Sequence, residues 1–136
     1  MSTLNLKIIT PKKLVKEVEA GSITVPTASG EITILPHHAN LFALMVEGIV
    51  KIRVKENEEY FSVGGGYVQT DGEKVTLLVS RAYGQDQIDE KMIDQAIEDA
   101  KKIIKTSQDE KEKYEAIATL RRAVVDSKLL KRRKPR

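Results

Sequence analysis

Two adjacent histidines, His37 and His38, are the only imidazoles in this chain of 136 residues. They follow Glu31 and Pro36 in a polar turn set between apolar runs. Such a stretch is a metal site, a catalytic site, or a face presented to another protein. Metal binding is poorly served: neighbours on extended backbone point opposite ways, and no third histidine, cysteine, HxH or HExxH spacing exists to complete a ligand set. A nucleophilic triad lacks any Gly-x-Ser-x-Gly around its serines. The run Gly64-Gly65-Gly66 has no following Lys-Ser/Thr and lies between strands, so a bulge or tight sheet contact accounts for it better than a phosphate cradle. Lys131-Arg132-Arg133-Lys134 suits an acidic protein, nucleic acid or anionic lipid, or is a solvated tail. It has no aromatics for base stacking. These residues point to a non-enzymatic interaction protein.

The elements that must position them divide near Gly84. All eight glycines lie at or before that residue, and no Gly or Pro occurs from Gln85 to Lys134. Residues 1–84 carry nine basic and nine acidic side chains, so the net charge of +3 sits in 85–136. Six of its cations fall between Lys128 and Arg136. A chain that is 40% apolar and 32% charged suits a soluble globular fold. The absence of cysteine excludes disulfides, thiolate zinc sites and cysteine nucleophiles. No apolar run approaches the roughly 20 residues of a membrane span. Met1-Ser2-Thr3-Leu4 shows neither a signal peptide nor a transit pattern, so the mature chain is expected to start there.

Residues 1–84 read as short strands. Leu4, Leu6 and Ile8 alternate with less apolar neighbours, and Val50-Lys51-Ile52-Arg53-Val54-Lys55 sets three aliphatic residues against three cations. Val15–Glu19, Ile23–Pro26, Glu31–Leu35, Tyr60–Val63, Tyr67–Gln69 and Val75–Val79 add further runs. Pro26 marks an edge or a strand end. Asp71-Gly72 predicts a two-residue type I′ hairpin. Turns at this spacing predict a two-sheet β-sandwich of about ten short strands.

Residues 85–136 predict an antiparallel α-helical hairpin. Met92, Ile93, Ala96, Ile97, Ala100, Ile103 and Ile104 form one apolar stripe, capped by Asp86 or Asp89. Ser107-Gln108-Asp109-Glu110 matches a capping box for a second helix after a link at Lys105 and Thr106. Tyr114, Ile117, Leu120 and Val124 form its expected packing stripe, with Ala116, Ala118 and Ala123 permitting close approach.

The whole pattern resembles the epsilon subunit of the F-type ATP synthase. The likeness rests on Gly30-Glu31-Ile32-x-Ile34-Leu35-Pro36-x-His38-Ala39-x-Leu41, then Gly48-Ile49-Val50-Lys51-Ile52. It continues through Gly64-Gly65-Gly66-Tyr67-Val68 and Lys74-Val75-Thr76-Leu77-Leu78, and covers nearly the whole chain. The resemblance implies a non-catalytic central-stalk rotor subunit, peripheral to the membrane and attached only through its complex. The sandwich, 1–84, is then expected to bind the gamma subunit and the ring of c subunits, with Glu31 and His38 facing that ring. Position 37 is commonly glycine in the family and is histidine here.

The hairpin, 85–136, is implied to inhibit ATP hydrolysis by reaching the alpha and beta subunits of the catalytic hexamer. Arg121, Arg122, Lys128, Lys131, Arg132 and Arg133 are its expected cationic contacts. Relatives that bind ATP on the hairpin carry an Ile/Leu-Asp-x-x-Arg-Ala motif. Ile88 and Asp89 are retained here, but Met92 and Ile93 replace Arg-Ala. Tyr83 and Asp99 stand for Glu and Arg; Arg122 is kept and Asp126 replaces a second Arg. Weak or absent ATP binding is therefore expected, and no cofactor or nucleic acid. The resemblance places the chain at the cytoplasmic face of a bacterial cell membrane, ahead of a plastid thylakoid. The competing reading is a free-standing β-sandwich adaptor whose basic tail binds nucleic acid or membrane.

Overall fold

A computed structural model describes residues 3–37, 40–87 and 89–131. The described chain forms ten strands, a 3-10 turn at Gln85–Gln87 and two α-helices. It divides into two compact units, 1–84 and 85–136. The strands are β1 (Leu4–Ile9), β2 (Leu14–Ala20), β3 (Ser22–Thr27), β4 (Gly30–Ile34), β5 (Leu41–Met45), β6 (Gly48–Val54), β7 (Asn57–Val63), β8 (Gly66–Thr70), β9 (Lys74–Val79) and β10 (Ala82–Gly84). The helices are α1 (Glu90–Thr106) and α2 (Glu110–Lys131).

The strands follow the order β10-β7-β6-β3-β5-β8-β9-β1-β2, and β4 pairs with β3. All neighbours are antiparallel except β1 and β9. Period-two alternation builds the core. Leu4, Leu6 and Ile8 of β1 meet Ile23 and Val25, Val50 and Ile52, Val68, and Val75 and Leu77 in one fully buried cluster. Each such side chain contributes roughly 1.5–3 kcal/mol by leaving water. The sandwich expected from the sequence is the fold observed. Pro26, next to last in β3, takes the strand-end alternative, since β3 has β4 on one flank and β6 and β5 on the other.

The β8–β9 turn differs from the two-residue hairpin the sequence suggested. Thr70 pairs with Val75, so four residues intervene. Only Gly72 among them has a positive φ, 96°. Asp71 Oδ1 accepts from the Glu73 and Lys74 N–H groups at 2.9 and 2.8 Å. The side chain thus supplies the turn's closure, and a second positive φ is unnecessary. At Gly66 any Cβ would collide with the Leu78 carbonyl, which explains that glycine by close strand approach rather than by a ligand.

In the hairpin, Asp89 caps α1 by accepting from the Lys91 N–H at 2.9 Å. Ser107 is the C-cap of α1, not the N-cap of α2. Asp109 takes the latter role, its carboxylate accepting from the Lys111 N–H at 3.0 Å, while Ser107 Oγ accepts from the Asp109 N–H. The link between the helices is therefore 107–109 rather than Lys105 and Thr106. A carboxylate beside the helix N-terminus gains from the macrodipole as well as the hydrogen bond, so Asp109 outcompetes the serine.

Candidate functional site

The sandwich carries two unlike outer surfaces. On β6 and β7 the outward residues are charged and mutually neutralised. Arg53 lies 2.9 Å and Lys51 3.7 Å from the Glu58 carboxylate, and Tyr60 donates to Glu58; on the opposite face, in register with the buried Ile52, Glu59 meets Lys16 of β2 at 3.0 Å. The cations that alternate along β6 thus end in ion pairs typical of a solvated face.

The outward side of β5, β8 and β9 carries an apolar row beside a second row of Phe42, Gln69 and Thr76. Leu44 lies opposite Tyr67, Tyr67 opposite Leu78, and Leu78 opposite Ile9 of β1. These side chains form one row across four strands. Phe42 stacks on Tyr67 with ring centroids 5.3 Å apart. Phe42 is 65% exposed and Leu44 57%; Tyr67 and Leu78 are each nearly half exposed. Beside the row an open cleft of about 420 Å³ is lined by Ile9, Thr10, Pro11, Tyr67, Leu78, Val79 and Ser80. A contiguous exposed apolar surface of this kind is suited to contact with a protein, a membrane or a ligand. The reading from sequence gave this patch no role. Its signal was present in Leu41-Phe42-Ala43-Leu44-Met45-Val46, where apolar residues occupy both faces of one strand.

Glu31 is exposed on β4, across from Pro26. Beyond β4 the chain exposes Leu35 and His37. His37 has φ 68°, and its N–H donates to the Gly72 carbonyl at 2.8 Å. His38 lies outside the described residues, as do Ile88, Arg132 and Arg133. Lys131 is the last residue of α2.

On α2 the packing stripe is shifted from the one expected. Tyr114 is 77% exposed, and Ile117 and Val124 are exposed too. The buried residues are Ala116, Ala123 and Leu129, with Leu120 and Leu130 partly buried. Small side chains let two helices approach, and that close approach leaves the larger neighbouring stripe outside. Tyr114, Ile117 and Val124 share this outer stripe with Arg121 and Lys128 by their three- and four-residue spacing, and Arg122 is exposed beside it. On α1, Met92 is 71% exposed and leaves the expected stripe, whereas Ile93 and Ala100 are buried.

The residues weighed for ATP serve other contacts. Asp89 caps α1, and Asp99 accepts from Gln95 Nε2 at 2.8 Å. Tyr83 lies beneath the Arg81 guanidinium, 5.8 Å from ring centroid to cation. Arg81 also binds Glu47 and Ser62, each at 3.0 Å. A cleft of about 200 Å³ in the hairpin is lined by Glu90, Ile93, Asp94, Ser127 and Leu130. Its two carboxylates are unsuited to a triphosphate. Among the described residues, no cluster of three or more His, Cys, Asp or Glu side chains is arranged to hold a metal ion.

Residues 3–85 match the family model for the beta-sandwich domain of the ATP synthase delta/epsilon chain. The ATP synthase epsilon chain of Moorella thermoacetica is 35% identical over 125 residues, covering 91% of this chain and 93% of that one. The chain belongs to the ATP synthase epsilon-chain family. The chloroplastic epsilon chain of Nicotiana tabacum is 34% identical over 121 residues, 89% of this chain and 91% of that one. The fold is shared with a chain in the OSCP/F1/c-ring structure of Euglena gracilis mitochondrial ATP synthase. There the TM-score is 0.71 at 18% identity, over 96% of this chain and 79% of that chain. As a family member the protein is an accessory, non-catalytic chain of the ATP synthase. Among the described residues no helix is long and apolar enough to cross a membrane.

Proposed function

We propose that this epsilon chain is a rotor subunit of the central stalk, seated between the catalytic head and the membrane ring. The observation that carries this reading is the row Leu44, Tyr67, Leu78 with Phe42 stacked on it, beside a cleft wide enough for a partner side chain. The gamma subunit is the proposed occupant. An apolar row with aromatic anchors has the composition of a stable interface core, and the ion-paired β6–β7 surface has that of a solvent face. The F1/c-ring assembly that contains the Euglena gracilis structural neighbour supports the same reading.

Glu31 and His38 are proposed to contact the polar loops of the c-ring, where a carboxylate and an imidazole can pair with Arg, Gln or Asn. The hairpin is proposed to inhibit ATP hydrolysis at the alpha and beta subunits. The exposed stripe of Tyr114, Ile117 and Val124 supports a docking role for α2. Arg121, Arg122 and Lys128 beside it, with Lys131, Arg132 and Arg133 beyond, favour an acidic counter-surface. ATP binding by the hairpin is proposed to be weak or absent, given the carboxylate-lined cleft; a low-micromolar dissociation constant by calorimetry contradicts this. The complex is proposed to sit at the cytoplasmic face of a bacterial membrane.

Co-expression with gamma tests the central claim. The chain is expected to co-purify stoichiometrically. A chain that remains separate from gamma, and binds DNA with steep salt dependence instead, overturns the rotor reading in favour of a basic adaptor.

A further inference from the structure

The apolar row does not stop at β1. Ile9 lies opposite Leu14 of β2, so Leu44, Tyr67, Leu78, Ile9 and Leu14 cross five strands in line. With strands about 4.7–4.9 Å apart, the row is roughly 19 Å long. Leu14 owes its place to an irregularity in pairing. Ile8 pairs with Lys16 but Ile9 with Leu14, so Val15 is left over as a β-bulge. In a regular ladder Ile9 would meet Val15, and Leu14 would turn to the core side. The bulge turns Leu14 to the outer face, where it is 49% exposed, while Val15 packs against the core.

This end of the row is bounded by the β1–β2 corner. The Thr10 hydroxyl oxygen accepts from the Lys12 and Lys13 N–H groups, each at 3.3 Å, and the Thr10 N–H donates to the Lys13 carbonyl at 2.9 Å. The corner is thus closed on itself. It holds Lys12 and Lys13 exposed just past Pro11, which lines the open cleft. The lining of that cleft contains no acid. Lys16, Lys51, Arg53 and Arg81 each meet a glutamate, whereas neither Lys12 nor Lys13 forms an ion pair among the described residues. Cations at the margin of an exposed apolar surface have the arrangement of a polar interface rim, and their complement is carboxylate.

We propose that the Lys12–Lys13 corner recognises an acidic segment of the gamma subunit, one that lays apolar side chains along the row and carries carboxylates at the end over these two lysines. This rests on the reading that gamma occupies the row. Rim charges steer the encounter and fix the register of the partner along the row. The corner is closed before binding, which reduces the ordering cost. A bilayer is the poorer fit, since two lysines fall short of the about four to eight cations of a lipid-binding cluster.

The test measures association and dissociation of purified gamma with the full-length chain at low and at high salt. The double variant Lys12→Glu, Lys13→Glu is expected to weaken binding about tenfold at low salt and less than about threefold at high salt, mainly through slower association. Lys55→Glu, at an exposed position in the β6–β7 turn, leaves binding unchanged. Leu14→Ala weakens it at both salts, through faster dissociation. A double variant that binds like the wild type overturns the proposal. So does a loss equal at both salts, or one matched by Lys55→Glu. Unchanged binding by Leu14→Ala overturns it as well, because the row then ends short of the corner. Vesicles of phosphatidylglycerol and phosphatidylcholine are the second probe. Vesicle binding that the double variant abolishes, with gamma binding intact, gives the corner to lipid headgroups and overturns the proposal. Tyr67→Ala separates the two levels. If it weakens gamma binding and the lysine reversals do not, only the role of the corner fails. If neither weakens it, the placement of gamma on this row fails too.

Discussion

In the sandwich, Leu4, Leu6 and Ile8 of β1, with Ile52 and Leu77, are turned fully inward, and all of them are large. In the hairpin, α2 turns Ala116 and Ala123 inward and leaves Tyr114, Ile117 and Val124 outside. The first region buries a large aliphatic cluster and exposes the row of Leu44, Tyr67 and Leu78 with Phe42, besides Leu14, Leu35, Val46 and Tyr83 elsewhere. The second keeps a large share of its apolar side chains at its surface. Since helical stability comes mainly from tertiary burial, a hairpin whose buried residues are Ile93, Leu129 and three alanines is the more readily rearranged of the two. The difference separates a scaffold from a part suited to changing partners.

The contrast is broken most forcefully in the core. Leu6→Ala is expected to cost the sandwich roughly 2–5 kcal/mol, seen as a lower denaturant midpoint. A loss below about 1 kcal/mol contradicts the packing described. Next is the outer row. Tyr67→Asp is expected to weaken gamma binding by about 2 kcal/mol or more, near thirtyfold, in a titration with purified gamma. It also loses the stacking on Phe42 and puts a poor strand former in β8, so folding is expected to lose about 1–2 kcal/mol, which a parallel melt measures so that binding is compared on folded protein.

Smaller effects sharpen the hairpin side. Asp109→Ala is expected to remove about 1 kcal/mol from α2, read as loss of helical circular dichroism while the strand signal persists. Truncation after Ser127 removes Lys128 and the cations beyond it. At low salt it is expected to raise ATP hydrolysis by the assembled complex, with a smaller rise at high salt, since exposed pairs are worth roughly 0.2–1 kcal/mol each and are screened. Unchanged hydrolysis at low salt removes the tail from the inhibitory mechanism.

The smallest effect is at Asp71. The Lys74 and then the Glu73 backbone N–H groups hold its carboxyl below the usual aspartate range. A depressed value in the folded chain means its stabilisation is complete above the ordinary aspartate range and fades as pH falls through the folded value. Melting temperatures of the wild type and Asp71→Asn should therefore differ near neutrality and converge in acid. A constant difference across that range refutes the assignment.

Much of the fold was legible in the residues themselves. The alternation in β1 and β6 fixed which side chains are buried, because a period of two leaves one choice of face once a core exists. The end of glycine and proline usage near Gly84 announced the helices. Local chemistry was harder to read where two residues compete for one role. Ser107 and Asp109 both suit a helix start, and Asp71-Gly72 suits two kinds of turn; backbone donors already in place decided each case.

The sites divide in the same manner. The motif around Glu31 could be recognised as a string, yet the strained backbone of His37 depends on a hydrogen bond to Gly72, 35 positions away. The row Leu44–Tyr67–Leu78 comes from three strands and exists only through their register. On α2 both stripes fit a helical period, so sequence could not choose between alanines and Tyr114 for the inner face. Composition and periodicity by themselves determined a β-sandwich and a helical hairpin, since burial of aliphatic side chains is a local pattern. Which apolar side chains remain outside was decided only by the tertiary structure, because exposure depends on strand register and on how closely two helices approach.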